Sequence, residues 1–373
     1  MAKTNNILIV GAGPAGLAMA GRLRKANVNF DIIEKETTVG FIWSQHYDRL
    51  HLHTVKNRSA LPHFPFPDEY PMFVSKDDLY KYYQEYAQQF NIQPSFGEPL
   101  VSVSKNESDW KVITNKKEWI YQHVIFATGI NRVPNIPKFK GMENFRGTIT
   151  HSRNYKNPKP FEGKKTLVIG MGNTGAEIAL DLALKNVKTS ISVRSEINII
   201  PLSLFGIPTQ ETALKLAILP NQLADSISKL AQKFAIGNLM KYGIKTSKTA
   251  PIAQLRETGK TPVIDLGTVD QIRKGNITVV GDLASFEANT IVFKNEKNQN
   301  FDAVILATGY KSKLEEFVPS INAMVDKYGN PNSVIGINEF KGLYFLGFNN
   351  FKPGGILGAV YEGSEKIMSE ILS

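Results

Sequence analysis

Short apolar runs of strand type recur along this chain, and most lead into glycine or into a stretch of helical composition. Ile7-Leu8-Ile9-Val10 runs into Gly11-Ala12-Gly13-Pro14-Ala15-Gly16, after which Leu17, Ala20 and Leu23 fall on one side of a helix. A second run, Phe30-Asp31-Ile32-Ile33, ends in Glu34 and Lys35. The same order returns later. Thr166-Leu167-Val168-Ile169 precedes Gly170-Met171-Gly172-Asn173-Thr174-Gly175, then a helix with Ile178 and Leu182 four apart, then Ser190-Ile191-Ser192-Val193 ending in Arg194-Ser195. Strand, G-x-G-x-x-G loop, helix and strand in that order predict a dinucleotide-binding unit, present here twice.

Two further apolar runs close on the same tripeptide. Val124–Ala127 ends in Thr128-Gly129, and Val304–Ala307 ends in Thr308-Gly309-Tyr310. Each reads as the closing strand of one unit. The expected fold is α/β, with two Rossmann-like dinucleotide-binding domains, the second inserted in the first. The expected boundaries are 1–155 for the first part of domain one and 156–310 for domain two, with a helical insertion near 209–245. Residues 311–373 then return to domain one. Gly342 to Phe348 reads as the returning strand, so Gly347 and Phe348 come back to the first nucleotide.

Each loop has a physical task. Gly11 allows the tight turn, Gly13 lets backbone approach a pyrophosphate, and Gly16 lets helix pack on strand; Gly170, Gly172 and Gly175 repeat this. Pro14, Ala15, Asn173 and Thr174 open the two helices, whose N-terminal N–H groups and partial positive charge favour phosphate. Glu34 suits ribose hydroxyls and repels a 2′-phosphate, so the first site fits FAD or NAD. Arg194 and Ser195 replace that acid at the second site and favour NADP(H).

Composition narrows the chemistry. The chain has 373 residues, enough for two cores, and no cysteine. Disulfides, thiolate metal sites and a redox cysteine pair are excluded, and a cytoplasmic location is expected. The net charge is +10, yet no dense basic block or aromatic-basic interleaving points to nucleic acid; scattered lysine and polyanionic cofactors account for it. No apolar run is long enough to span a bilayer, and the strands begin too early for a signal peptide. His51 and His53 share a face if their segment is a strand, but without cysteine or a spaced carboxylate no metal is expected.

Between the two units lies Phe145-Arg146-Gly147-Thr148-Ile149-Thr150-His151-Ser152-Arg153-Asn154-Tyr155. It matches F-x-G-x-x-x-H-x-x-x-Y, the fingerprint of flavin-containing monooxygenases, and stands directly before the second glycine loop as it does there. The chain resembles that family nearly end to end, most of all its YUCCA branch. Trp43 and Tyr47-Asp48-Arg49-Leu50-His51-Leu52-His53 are similar to the stretch after the FAD ribose acid. Leu61 to Pro71 is similar to the Pro-rich segment before a helix over Lys76 to Phe90, and Thr258 to Asp265 also matches. Where animal-type members carry an asparagine beside the flavin, a gapless reading puts His53.

The resemblance implies FAD in the first domain and NADPH in the second. It implies hydride transfer to the flavin, a C4a-(hydro)peroxide from dioxygen, and insertion of one oxygen atom into a small organic substrate. The YUCCA branch suggests oxidative decarboxylation of an aryl 2-keto acid such as indole-3-pyruvate. N- or S-oxygenation of amines or sulfides is the alternative, and an NADPH oxidase or a reductase without oxygen transfer is another. Trp43, His53 and Lys56 are candidates beside the flavin, His53 and Lys56 as catalytic groups, with a purely structural role for His53 left open. His151 and Tyr155 are expected to shape a hinge.

Leu223, Ile227, Leu230 and Phe234 form one apolar helix face. It is expected to pack onto its own domain or, in a homodimer, onto a partner; a substrate lid or a membrane-surface contact is the other reading.

Overall fold

The computed structural model describes residues 6–295, 297–349, 351 and 353–373. It resolves into two compact units: residues 1–45, 54–133 and 310–373, and residues 46–53 with 134–309. The second unit therefore includes 46–53 and 134–155, which sequence reasoning assigns to the first domain.

Each unit is built around a five-stranded parallel sheet. In the first the spatial order is Leu343–Phe345, His123–Phe126, Ile7–Val10, Asp31–Glu34, Ser95–Phe96. In the second it is Ile277–Val280, Lys188–Ser192, Lys165–Ile169, Ala303–Leu306, Thr148–His151. The central strands are covered on both faces, which is why Ile7–Val10 and Ala303–Leu306 read as unbroken apolar runs rather than alternations. Leu8, Ile9, Val124 and Ile125 are wholly buried in one core, and Leu167, Val168, Val304 and Ile305 in the other.

Three-stranded antiparallel sheets add a second parallel between the units. Leu100–Asn106, Asp109–Thr114 and Glu118–Tyr121 precede the closing strand of the first unit. Leu283–Glu287, Thr290–Phe293 and Asn298–Asn300 precede that of the second. Their alternating side chains bury Val103, Trp110 and Val112 in one unit and Phe286, Ile291 and Phe293 in the other.

The glycine-loop helices, Pro14–Lys25 and Asn173–Leu184, begin and end alike. Pro14 at the first position costs nothing, since its missing N–H has no helical acceptor there. Past the other end, Asn27 and Asn186 take left-handed conformations, with φ of 56° and 57°. The next residues, Val28 and Val187, donate back to the carbonyls of Leu23 and Leu182. The helix Lys76–Gln89 of the first unit starts at Ser75, whose hydroxyl accepts from the Asp78 N–H.

The apolar face of helix Asn221–Ile236 departs from expectation. Ala224, Ser228, Gln232 and Ile236 are buried, whereas Leu223, Ile227, Leu230 and Phe234 are exposed. Packing onto the chain's own domain is thus corrected. The inward face combines apolar packing of Ala224 and Ile236 with polar contacts: Gln232 Nε2 donates to Asn198 Oδ1 at 3.0 Å and to the Ile199 carbonyl at 3.1 Å.

Candidate active site

The two glycine loops have the same construction. Gly11 and Gly170 sit at φ of 104° and 103°, a region closed to other residues. Each supports the third glycine of its loop. A Cβ on Gly16 would lie 1.8 Å from the Gly11 carbonyl oxygen, and one on Gly175 would lie 1.9 Å from that of Gly170. The middle glycines differ in kind. A Cβ on Gly13 or on Gly172 would meet nothing within 4 Å, so open space lies over both helix N-termini. Neither helix has an acidic residue or a side-chain cap in its first turn, and its free N–H groups face that space. This arrangement fits a pyrophosphate at each loop.

In the first unit, Glu34 has a task that the sequence does not disclose. Its Oε2 accepts the Ala12 N–H at 2.7 Å, and its Oε1 accepts the Glu36 N–H at 3.0 Å. The carboxylate ties the glycine loop to the strand end, and its remaining lone pairs can still take ribose hydroxyls. Lys35 is exposed and lies 3.3 Å from Glu36. Where the closing strand ends, the Thr128 hydroxyl is buried with no hydrogen-bond partner among the described residues, and Gly129 follows at φ 72° with open space over it. An unanswered buried hydroxyl beside an open helix N-terminus fits a bound polar group. Gly347, at φ 87°, brings the returning strand to Ala15, where a Cβ would stand 3.0 Å from that of Ala15. Phe348 is buried against Phe345. Trp43 packs edge-on to Tyr83, ring centres 6.2 Å apart. Tyr310 also belongs to this unit.

Lys56 is engaged by the backbone of its own unit. Its Nζ donates to the carbonyls of Asp68 at 2.7 Å, Tyr70 at 2.8 Å and Pro67 at 3.4 Å. These three carbonyls engage the ammonium, so the group clamps the Pro-rich loop.

In the second unit, Arg194 and Ser195 are exposed just past the strand Lys188–Ser192, and no described residue pairs with the Arg194 guanidinium. The Asn173 carboxamide accepts the Ile264 N–H at 2.7 Å, fixing the short strand Val263–Asp265 beside the helix that Asn173 and Thr174 open. The Thr308 hydroxyl donates to the Asn135 carbonyl at 2.6 Å, and the Asn135 N–H donates to the Gly309 carbonyl. Unlike Thr128, Thr308 is occupied.

The fingerprint between the two loops is mechanical, and all of it lies in this unit. Phe145 packs edge-on to Phe286. A side chain on Gly147 would strike the Asp302 carbonyl at 2.5 Å. His151 Nδ1 accepts the Arg153 N–H, which leaves the proton on Nε2 to donate to the Gly309 carbonyl at 3.1 Å. Tyr155 donates to Asp181 at 2.8 Å, on the glycine-loop helix. Four residue types at fixed spacing thus tie the strand Thr148–His151 to the closing-strand end and to that helix.

Burial pushes the His151 pKa below 6.5, offset in part by the Gly309 carbonyl and reinforced by Arg153. Burial also lowers that of His123, against the pull of Asp109 and Glu370. Below pH 6.5 the unfolded chain takes up protons that these folded histidines refuse. Stability is therefore full above 6.5 and falls as the pH falls. The melting temperature is expected to drop between about pH 7.5 and about pH 5, and His151→Gln should flatten part of that slope; an unchanged slope would mean other groups set it.

The segment 46–53 is pinned by several side chains of the second unit. Tyr47 is in its core against Tyr155, Asp48 receives Asn157 Nδ2 at 2.9 Å, and Arg49 lies 3.7 Å from Asp181. His53 Nε2 stands 2.8 Å from Glu177 Oε1, on the glycine-loop helix. That contact lacks hydrogen-bond geometry, and the Glu177 carboxylate, 1% exposed, has no hydrogen-bond donor among the described residues. His53 is thus placed with Glu177, in a different unit from Trp43 and Lys56. His51 is exposed, its Nδ1 at the Arg49 carbonyl. No metal-holding cluster occurs among the described residues. Removing the imidazole strands a buried carboxylate, so His53→Ala should lower the unfolding free energy by about 1–3 kcal/mol, and adding Glu177→Gln should restore most of it. A stable His53→Ala variant with lost turnover would show instead that the ring serves the reaction.

Comparison with known proteins decides the family. The model of the family described as FMO-like, flavin-binding monooxygenase-like, matches residues 4–328. The chain belongs to the flavin-binding monooxygenase-like family. Curated relatives of this oxidoreductase include the probable indole-3-pyruvate monooxygenase YUCCA8 of Arabidopsis thaliana, 36% identical over 92% of this chain and 84% of that protein. Indole-3-pyruvate monooxygenase YUCCA1 of Oryza sativa subsp. japonica is 37% identical over 94% and 87%. Among solved structures, an oxidised steroid monooxygenase bound to NADP matches with a TM-score of 0.76 at 17% identity, covering 99% of this chain and 86% of that one. A flavin-containing monooxygenase from Stenotrophomonas maltophilia matches with a TM-score of 0.73 at 19% identity, covering 98% of each. The α/β architecture with two Rossmann-like domains is thus that of known flavin monooxygenases.

Proposed function

We propose that this flavin monooxygenase holds FAD at the Gly11–Gly16 loop and NADPH at the Gly170–Gly175 loop, and that it oxidatively decarboxylates an aryl 2-keto acid such as indole-3-pyruvate. The observation that carries the reading is the pair of open cradles at Gly13 and Gly172, only the second followed by a guanidinium. The activity of the YUCCA relatives supports the substrate class, and a small substrate with dioxygen in the cytoplasm is the setting this implies.

When bound, the flavin supplies two-electron chemistry with nicotinamide and activates dioxygen. The chain's own part is placement. The first helix N-terminus and Glu34 orient one nucleotide by its pyrophosphate and ribose, and Gly347 brings backbone close to the same loop. Arg194 and Ser195 select the 2′-phosphate of the other. The fingerprint contacts keep the second loop and its closing strand in register, so that the nicotinamide nucleotide is presented in one pose. Keto acid, dioxygen, NADPH and a proton give the shortened carboxylic acid, carbon dioxide, NADP⁺ and water.

The test is FAD-loaded protein with NADPH and indole-3-pyruvate in air, followed for NADPH consumed, indole-3-acetate formed and hydrogen peroxide released. One acid per NADPH with little peroxide is expected. Peroxide alone would make the protein an oxidase, and turnover with an amine or sulfide but no keto acid would move it to the N- or S-oxygenases.

A further inference from the structure

The helical insertion of the second unit presents an apolar surface that its own fold does not cover. Helix Asn221–Ile236 advances about 100° per residue, which puts Leu223, Ile227, Leu230 and Phe234 within an arc of roughly 60°. The buried residues Ala224, Ser228, Gln232 and Ile236 occupy the opposite side. Leu230 is 69% exposed and Phe234 71%. Two loops extend the surface. Phe205, 82% exposed at the tip of the hairpin Ser203–Pro208, lies tilted against Phe234 with ring centres 5.9 Å apart, and Ile218, 85% exposed, stands in the turn before the helix. Large apolar side chains gathered on one face of a helix that turns its opposite side inward require an apolar partner.

The charges around this surface select the partner. Lys215, Lys229, Lys233, Lys241, Lys245 and Lys248 all fall in the insertion and its flank, against two acids, Glu211 and Asp225. Asp225 is already held by Arg256 through bonds of 2.8 and 3.2 Å. Beside the helix opens a cleft of about 680 Å³ with Ile197, Ile199 and Ile236 in its lining and Lys229 and Lys233 among its walls. Apolar side chains flanked by lysine match an anionic bilayer surface, which offers acyl chains beneath negative headgroups. No helix among the described residues is long and apolar enough to cross a membrane, so the contact is interfacial.

We propose that the face formed by Phe205, Ile218, Leu223, Ile227, Leu230 and Phe234 docks the enzyme reversibly on anionic lipid membranes. The helix lies in the plane of the interface, its apolar side chains among the acyl chains and its lysines at the headgroups. This inference stands apart from the choice of substrate.

The test is flotation of the FAD-loaded enzyme with vesicles of phosphatidylcholine alone and of phosphatidylcholine with phosphatidylglycerol, at low and high salt. Binding is expected to the anionic vesicles at low salt and to weaken as salt screens the lysines. Leu230→Ser/Phe234→Ser should weaken the partition by roughly tenfold, and Lys233→Gln/Lys245→Gln should weaken it while leaving NADPH oxidation without lipid unchanged. Failure to float with anionic vesicles at low salt overturns the proposal, as does equal flotation of the apolar variant. If light scattering shows a dimer that Leu230→Ser/Phe234→Ser dissociates, with no vesicle binding, the face belongs to a second copy and the proposal is wrong.

Discussion

Gly13→Ala should purify as a folded, colourless protein, and Gly16→Ala should not purify as a stable protein at all. The two glycines are three residues apart in one loop, yet their surroundings give opposite forecasts. Gly13 has φ −77° and ψ −174°, which any residue adopts, and a Cβ there meets no protein atom within 4 Å. The methyl group would stand in the space proposed for the pyrophosphate. Flavin affinity is then expected to fall by about ten- to hundredfold or more, the range of a clash in a close-packed site, with the melting temperature of the flavin-free protein unchanged. At Gly16 the added carbon would overlap the Gly11 carbonyl at 1.8 Å, and neither backbone segment can move without breaking the helix-to-strand contact. The second loop repeats the experiment. Gly172→Ala should keep flavin and lose its reduction by NADPH, and Gly175→Ala should fail to fold. The measurement is visible flavin absorbance relative to protein absorbance, with thermal melts of each variant. Retention of flavin at full occupancy by a well-folded Gly13→Ala protein would remove the nucleotide from that loop.

That contrast also marks what the sequence could and could not disclose. Strand and loop order follows from local rules: apolar runs covered on both sides, glycine at a left-handed turn, proline at a helix start. All of these stand within a few residues of one another. The alternating meanders before each closing strand are equally local patterns. What stayed hidden depends on partners far along the chain. Nothing local to Lys56 reports that three carbonyls between Pro67 and Tyr70 turn towards its ammonium. Nothing near His53 announces Glu177, more than a hundred residues away, although a glutamate flanked by alanine and isoleucine in the glycine-loop helix was a signal. The stripe from Leu223 to Phe234 shows the limit most clearly. Its spacing fixes which residues share a face, but only the position of Gln232 against Asn198 and Ile199 fixes which way that face points.

Arg194→Ala should raise the Michaelis constant for NADPH by about ten- to hundredfold while leaving that for NADH nearly unchanged. A hydrogen bond to a charged group contributes roughly 1.5–3 kcal/mol, and a guanidinium offers a phosphate two parallel ones. Arg194 is exposed and has no pairing partner among the described residues, so no carboxylate competes for it and little of the chain's stability rests on it. The loss should therefore appear in cofactor choice and not in the melting temperature. The corresponding strand end of the first unit bears Glu34, whose carboxylate is bound to the Ala12 and Glu36 N–H groups and would meet a 2′-phosphate with like charge. Arg194→Glu imposes that situation on the second site, and preference should then turn towards NADH. Raising the ionic strength should narrow the wild-type preference, because an exposed charge pair is screened, and should do nothing to Arg194→Ala. Equal rises in both Michaelis constants would mean that Arg194 holds a part of the nucleotide common to both cofactors, and the 2′-phosphate would have to be read elsewhere, with the Ser195 hydroxyl the next group to change.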